Sequence, residues 1–124
     1  MVIREADGQL DISGTPGELS AIADRIERLS AGESVSVDGD AAADPRPYKR
    51  SLAALEARVT DGPVRVALSG DRVVVTASVA MMRTFASYFR FDADAQRATH
   101  NHHEWFDGNE YVARDSAPLV VSVG

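Results

Sequence analysis

The chain has no cysteine in its 124 residues, so neither a disulfide framework nor thiolate chemistry is open to it. Basic charge is scarce. Lys+Arg number 13 against 19 Asp+Glu, the net charge is −6, and Lys49 is the only lysine. A nucleic-acid backbone binder needs a basic stripe, so no nucleic-acid partner is expected. Long apolar runs are missing too. None approaches the ~20 residues of a membrane helix, and Met1–Glu5 lacks the charged-then-apolar pattern of a signal peptide. The expectation is a cytoplasmic protein with no membrane partner. Catalytic signatures are equally thin. No serine sits in a nucleophile elbow, and "LSGDRV" (residues 68–73) has too few glycines and no lysine to cradle phosphate. We therefore expect no enzyme activity and no cofactor.

What is present is ordinary for a globular chain: 44% hydrophobic and 26% charged residues, in a length that suits one domain. The acidic balance suits a basic partner, because opposite fields speed encounter.

The two halves, 1–62 and 63–124, follow one plan. At an offset of 63 positions, Asp7-Gly8 falls on Gly70-Asp71, Leu10 and Ile12 on Val73 and Val75, and Thr15 on Ser78. Leu19, Ile22, Ala23 and Ile26 fall on Met82, Phe85, Ala86 and Phe89, and Tyr48 on Tyr111. Asp-Gly and Gly-Asp between alternating apolar residues are hairpin turns, since both tolerate positive φ. They predict that Val2–Ala6 pairs with Gln9–Ser13 and Val64–Leu68 with Arg72–Thr76. Thr15-Pro16-Gly17-Glu18 is a capping box with proline at the first helical position. It opens a helix whose apolar face is Leu19, Ile22, Ala23, Ile26 and Leu29, and which Gly32 should stop. Ser78 caps a second helix with the face Met82, Phe85, Ala86 and Phe89; Met81 takes the place of the capping carboxylate.

Each helix should be followed by strands: Ser34–Val37 and Leu55–Thr60 in the first half, Thr99–Trp105 and Leu119–Val123 in the second. "YKRSLAALEARV" is also helical on propensity; the alternation of Ala53, Leu55, Ala57 and Val59, with the repeat, favours strand. Asp38–Pro47 is the expected flexible connector. The resulting fold class is α+β: a single domain, 1–124, of two pseudo-symmetric ββαββ modules, forming antiparallel sheet with two helices packed on one face.

Residues 100–105 gather all three histidines and the only tryptophan. On a strand, His100, His102 and Glu104 share one face while Asn101, His103 and Trp105 share the other. Three readings compete. His100 and His102 with Glu104 could chelate a metal, making the chain a metal-binding protein or a metal-dependent enzyme, although a structural zinc wants four ligands and the chain has no second His/Cys pair. The segment could be a half-exposed edge strand with an aromatic anchor. Or it is a recognition surface of His100, His102, His103, Trp105, Phe106, Asp107 and Tyr111, in which aromatic side chains supply area and charges select the partner. Exposed edge strands could also pair across a two-fold axis into a structural homodimer.

"LDISGTPGELSAIADRIERL" (residues 10–29), with Leu10, Ile12, Gly14 and Leu19, resembles the opening of a class of predicted bacterial immunity proteins, immunity protein thirty-two, which accompany polymorphic toxins. The later parts, a histidine-rich strand and a closing apolar strand after a serine, resemble "HNHHEWFDGNEYV" and "SAPLVVSV", with Ser116, Leu119 and Val121. The likeness spans most of the chain but is split between the halves: Ala77 stands where the first half has Gly14, and Val35 and Val37 where the second has histidine. It implies a non-enzymatic inhibitor that binds and blocks a cognate toxin.

Overall fold

A computed structural model describes the whole chain, residues 1–124. Its elements run β1 (Val2–Ala6), β2 (Gln9–Gly14), α1 (Pro16–Glu27), β3 (Ser34–Asp38), β4 (Arg50–Ser51), β5 (Ala54–Val59), β6 (Arg65–Ser69), β7 (Arg72–Ala77), α2 (Val79–Ser87), β8 (His100–His103) and β9 (Leu119–Val123). The fold is α+β, as the patterning implies. Both hairpins form, with Asp7 and Gly8 at φ of 53° and 82° and Gly70 at 61°. The capping box at Thr15 is complete: the Glu18 N–H donates to Thr15 Oγ1 at 3.1 Å and the Thr15 N–H to Glu18 Oε1 at 3.0 Å. Residues 54–59 are strand rather than helix.

The sheet differs from expectation. Instead of one antiparallel layer there are two mixed sheets, ordered β4-β1-β2-β9-β8 and β3-β5-β7-β6. Each joins a hairpin from one half of the chain to two strands from the other. β2 lies parallel to β9, and β7 parallel to β5. The reason is that a hairpin satisfies only one side of β2 or β7, and the strands after the opposite helix fill the other side. Alternation along a strand sets which face is apolar but not which neighbour bonds to it. The exchange yields one core. Leu19, Ile22 and Ile26 of α1, Met82 and Phe85 of α2, and the inner faces of both sheets belong to a single cluster of 22 buried residues.

Several ends move. α1 stops at Glu27, capped by Arg28, rather than at Gly32; Leu29 lies beyond the helix but still packs on the core. Phe89 likewise lies past the end of α2 yet is fully buried. β8 covers only His100–His103: the next hydrogen-bonded partner along β9 would be Ala117, whose N–H donates instead to Val66 O. The 38–47 connector is tied across the first sheet. The Asp40 N–H donates to Met1 O, Arg4 Nε to Asp44 O, and Ser51 Oγ to Ala43 O.

A candidate recognition loop beside a polar sheet face

The segment between β8 and β9, residues 104–118, is irregular, and its second part, 111–117, is fastened to β6. Val112 forms a parallel bridge with Val64. The Val64 N–H donates to Tyr111 O at 2.9 Å, and the Ala113 and Ala117 N–H groups donate to Val64 O and Val66 O at 2.8 Å. Ser116 is buried, and its Oγ accepts from the Val66 N–H at 2.8 Å. Arg65 Nε reaches Asp115 Oδ1 at 2.9 Å, which holds that carboxyl below its usual range. The loop therefore covers the outer edge of β6, satisfying backbone groups that an edge strand leaves open.

Its other side faces solvent. Phe106 is 63% exposed and Tyr111 60%. Phe106 opens a turn closed by the Asn109 N–H on Phe106 O, with Gly108 supplying φ of 88°. Trp105 is half-buried, with the Arg114 guanidinium 5.3 Å from its ring centroid, a cation–π contact that steadies it. Asp107 and Glu110 are exposed beside these rings.

The three histidines part company. His100 and His102 are exposed on the outer face of the first sheet, rings edge-to-face at 4.8 Å, with His100 Nδ1 2.9 Å from Ala98 O. His103 is not part of a surface. It is 2% exposed, wedged edge-on between Phe85 (5.2 Å) and Tyr88 (4.9 Å). Its Nδ1 has no hydrogen-bond partner. Strand alternation turns it to the core, where desolvation pushes its pKa down to about 4. Glu104 lies beyond the strand, exposed. Nowhere do three His, Asp or Glu side chains gather as a metal-ligating set, so His100, His102 and Glu104 are not assembled as one.

Sequence reasoning passed over the rest of this face. Arg4, Asp11, Val120 and His102 stand in one row across four strands, and Val2, Ser13, Ser122 and His100 in the next. Asp11 is 7% exposed. Burial raises its pKa, opposed by the Ser122 hydroxyl, which donates to Oδ1 at 3.1 Å, and by Arg4 and His100. Arg4 Nη1 lies 3.7 Å from Asp11 Oδ2 and donates to Ser13 Oγ at 3.2 Å. The available signal was the alternation itself, which sends Asp11 and Ser13 to the face opposite Leu10 and Ile12. Their burial beside Arg4 and Ser122 has no local signature. Asp11 and His102 are two strands apart, roughly 10 Å, too far for a direct proton-transfer pair. Two shallow clefts flank the row, about 410 Å³ beside Arg4, Ser13 and Arg97, and 240 Å³ beside Tyr48 and His102. The surface can hydrogen-bond and pair charges with a docked partner.

Against protein-family models, curated proteins and solved structures alike, the chain has no significant match. No helix is long and apolar enough to cross a membrane.

Proposed function

We propose that this chain is a non-enzymatic binding protein of the immunity type, which holds a cognate bacterial toxin against the 104–118 loop and the adjoining outer face of the first sheet. The observation that carries the reading is the display of Phe106 and Tyr111, two of the three large apolar side chains exposed on the molecule, beside Trp105 on a fastened loop. Aromatic anchors on a pre-ordered segment bind with little ordering cost, and such residues dominate interface energetics. Asp107, Glu110 and the net charge of −6 favour a basic toxin surface. His100 and His102 extend the surface; His103 supports it from beneath. The reading places the chain in the bacterial cytoplasm, where a toxin would meet it.

The same reading treats the chain as a duplicated ββαββ module. Its support is the matching strand order of the two sheets, hairpin first and then the last and third strands of the opposite half.

The test is to express the chain with the toxin encoded beside it, isolate the complex and titrate variants. Replacing Phe106 and Tyr111 together by alanine should weaken binding by about 3 kcal/mol, on the order of a hundredfold, with an unchanged far-UV circular dichroism spectrum. Unaltered affinity in that double variant would remove the loop from the interface.

A further inference from the structure

β8 carries two imidazoles that neither the core nor the sheet needs. His100 and His102 stand two apart on one strand, so both turn to the outer face of the first sheet, and both are exposed. Their ring centroids are 4.8 Å apart. His100 is the one that makes a side-chain hydrogen bond: its Nδ1 lies 2.9 Å from Ala98 O. A carbonyl oxygen only accepts, so Nδ1 carries the proton and Nε2 keeps its lone pair for another bond. Metal-bound imidazoles have a partner of this kind, a carbonyl on one nitrogen that sets the tautomer and orients the other. Ala98 is itself tied down. Its N–H donates to Val123 O at 2.8 Å, and its φ of 73° lies in the left-handed region that residues with a Cβ rarely enter. The His102 ring is unbonded and exposed, so it can turn either nitrogen toward its neighbour. Glu104 lines the same cleft of about 240 Å³ as His102, which keeps a carboxylate near by, but no third side chain joins the pair.

We propose that His100 and His102 form a two-point chelate for a divalent transition-metal ion, held by Nε2 of His100 and one ring nitrogen of His102, with water in the remaining positions. The donors choose the ion. Imidazole nitrogen suits copper(II), nickel(II) and zinc(II), while magnesium and calcium take oxygen, and copper(II) heads the order of affinity. Two imidazoles do not close a structural site, which wants four ligands. The fold does not depend on the ion either, because β8 pairs with β9 through its backbone. The bound ion therefore stays open to solvent and to further ligands. His103, turned into the core, takes no part. The inference is independent of the toxin reading, since neither Phe106 nor Tyr111 contributes a ligand.

Calorimetric titration of the intact, untagged chain with copper(II), zinc(II) and magnesium chlorides decides it. Copper(II) should bind saturably and more tightly than zinc(II), and magnesium should give no heat of binding. His100→Gln and His102→Gln should each weaken the copper site about tenfold or more, with an unchanged circular dichroism spectrum, while His103→Leu should leave it as it was. Long-range proton–nitrogen spectra of the zinc-loaded wild type should shift Nε2 of His100 and show its Nδ1 still protonated. Copper binding that is absent, or that survives both glutamine variants undiminished, overturns the proposal. So does zinc that leaves Nε2 of His100 unshifted or replaces the proton on Nδ1. If a glutamine variant fails to fold, the wild-type titration and its nitrogen spectra still decide.

Discussion

His103 shows how a single side chain can be read correctly by period and wrongly by chemistry. Its place in "HNHH" beside Trp105 suggests a surface that binds; its parity on the strand sends it to the core, against Phe85 and Tyr88. The cost is visible in its unpartnered Nδ1. Because burial lowers its pKa from the usual 6.5 to about 4, the unfolded chain holds more protons between those values, and stability rises with pH. The contribution is whole above about pH 6.5, shrinks as pH falls toward 4, and amounts to about 3 kcal/mol in all. Asp11, with its pKa raised by burial, responds in the opposite sense, so the measurement must be differential. Urea denaturation of the wild type and His103→Leu at neutral and mildly acidic pH should show the variant holding stability that the wild type loses. Equal acid sensitivity in both would mean that His103 does not carry this dependence. At this scale the sequence told which residues face inward, through alternation and the helical period. It did not tell that Asp11, on the opposite face, would be buried as well.

Among elements, local chemistry was legible and pairing was not. The turns at Asp7-Gly8 and Gly70-Asp71 and the cap at Thr15 are written in a few adjacent residues, and all form. The end of β8 depends on where Leu119 arrives, and the order of the 104–118 loop on its bonds to β6, some fifty positions away in the chain. On the proposed reading the order of the loop is what gives its exposed rings binding value, and Ser116 is its one buried side-chain tie to β6. Ser116→Ala leaves the Val66 N–H without its side-chain acceptor in a buried setting, which should cost about 1–3 kcal/mol. Hydrogen exchange at Val66 and Ala117 should quicken more than at Val73 or Val75 in the sheet interior. An evenly spread acceleration would indicate general destabilisation, and the loop would then not open as a unit.

At the scale of the whole molecule, the exchange of strands between halves decides how the chain can fold. β2 joins β9 and β7 joins β5, so a cut at 62/63 leaves 1–62 with the separate pieces β4-β1-β2 and β3-β5, and 63–124 with β6-β7 and β8-β9, each without the parallel pairing that makes them one sheet. The helix of each half keeps an apolar face whose partners, α2 or α1 and the opposite inner sheet face, sit on the missing piece. A two-stranded hairpin is at best marginal alone. Had the halves been two side-by-side modules, each with its own core, either should have folded by itself. The topology predicts otherwise. Fragments 1–62 and 63–124, prepared separately, should give narrow amide chemical-shift dispersion and no cooperative thermal transition. Mixed in equal amounts, they should recover both, with a midpoint that rises with concentration, as mass action requires when the folded state is a complex. A cooperative transition in either fragment alone would refute the interdependence of the halves. Recovery on mixing would also explain why the sequence pattern of each half gives no hint of sheet order: each half is a contributor to two sheets and the owner of neither.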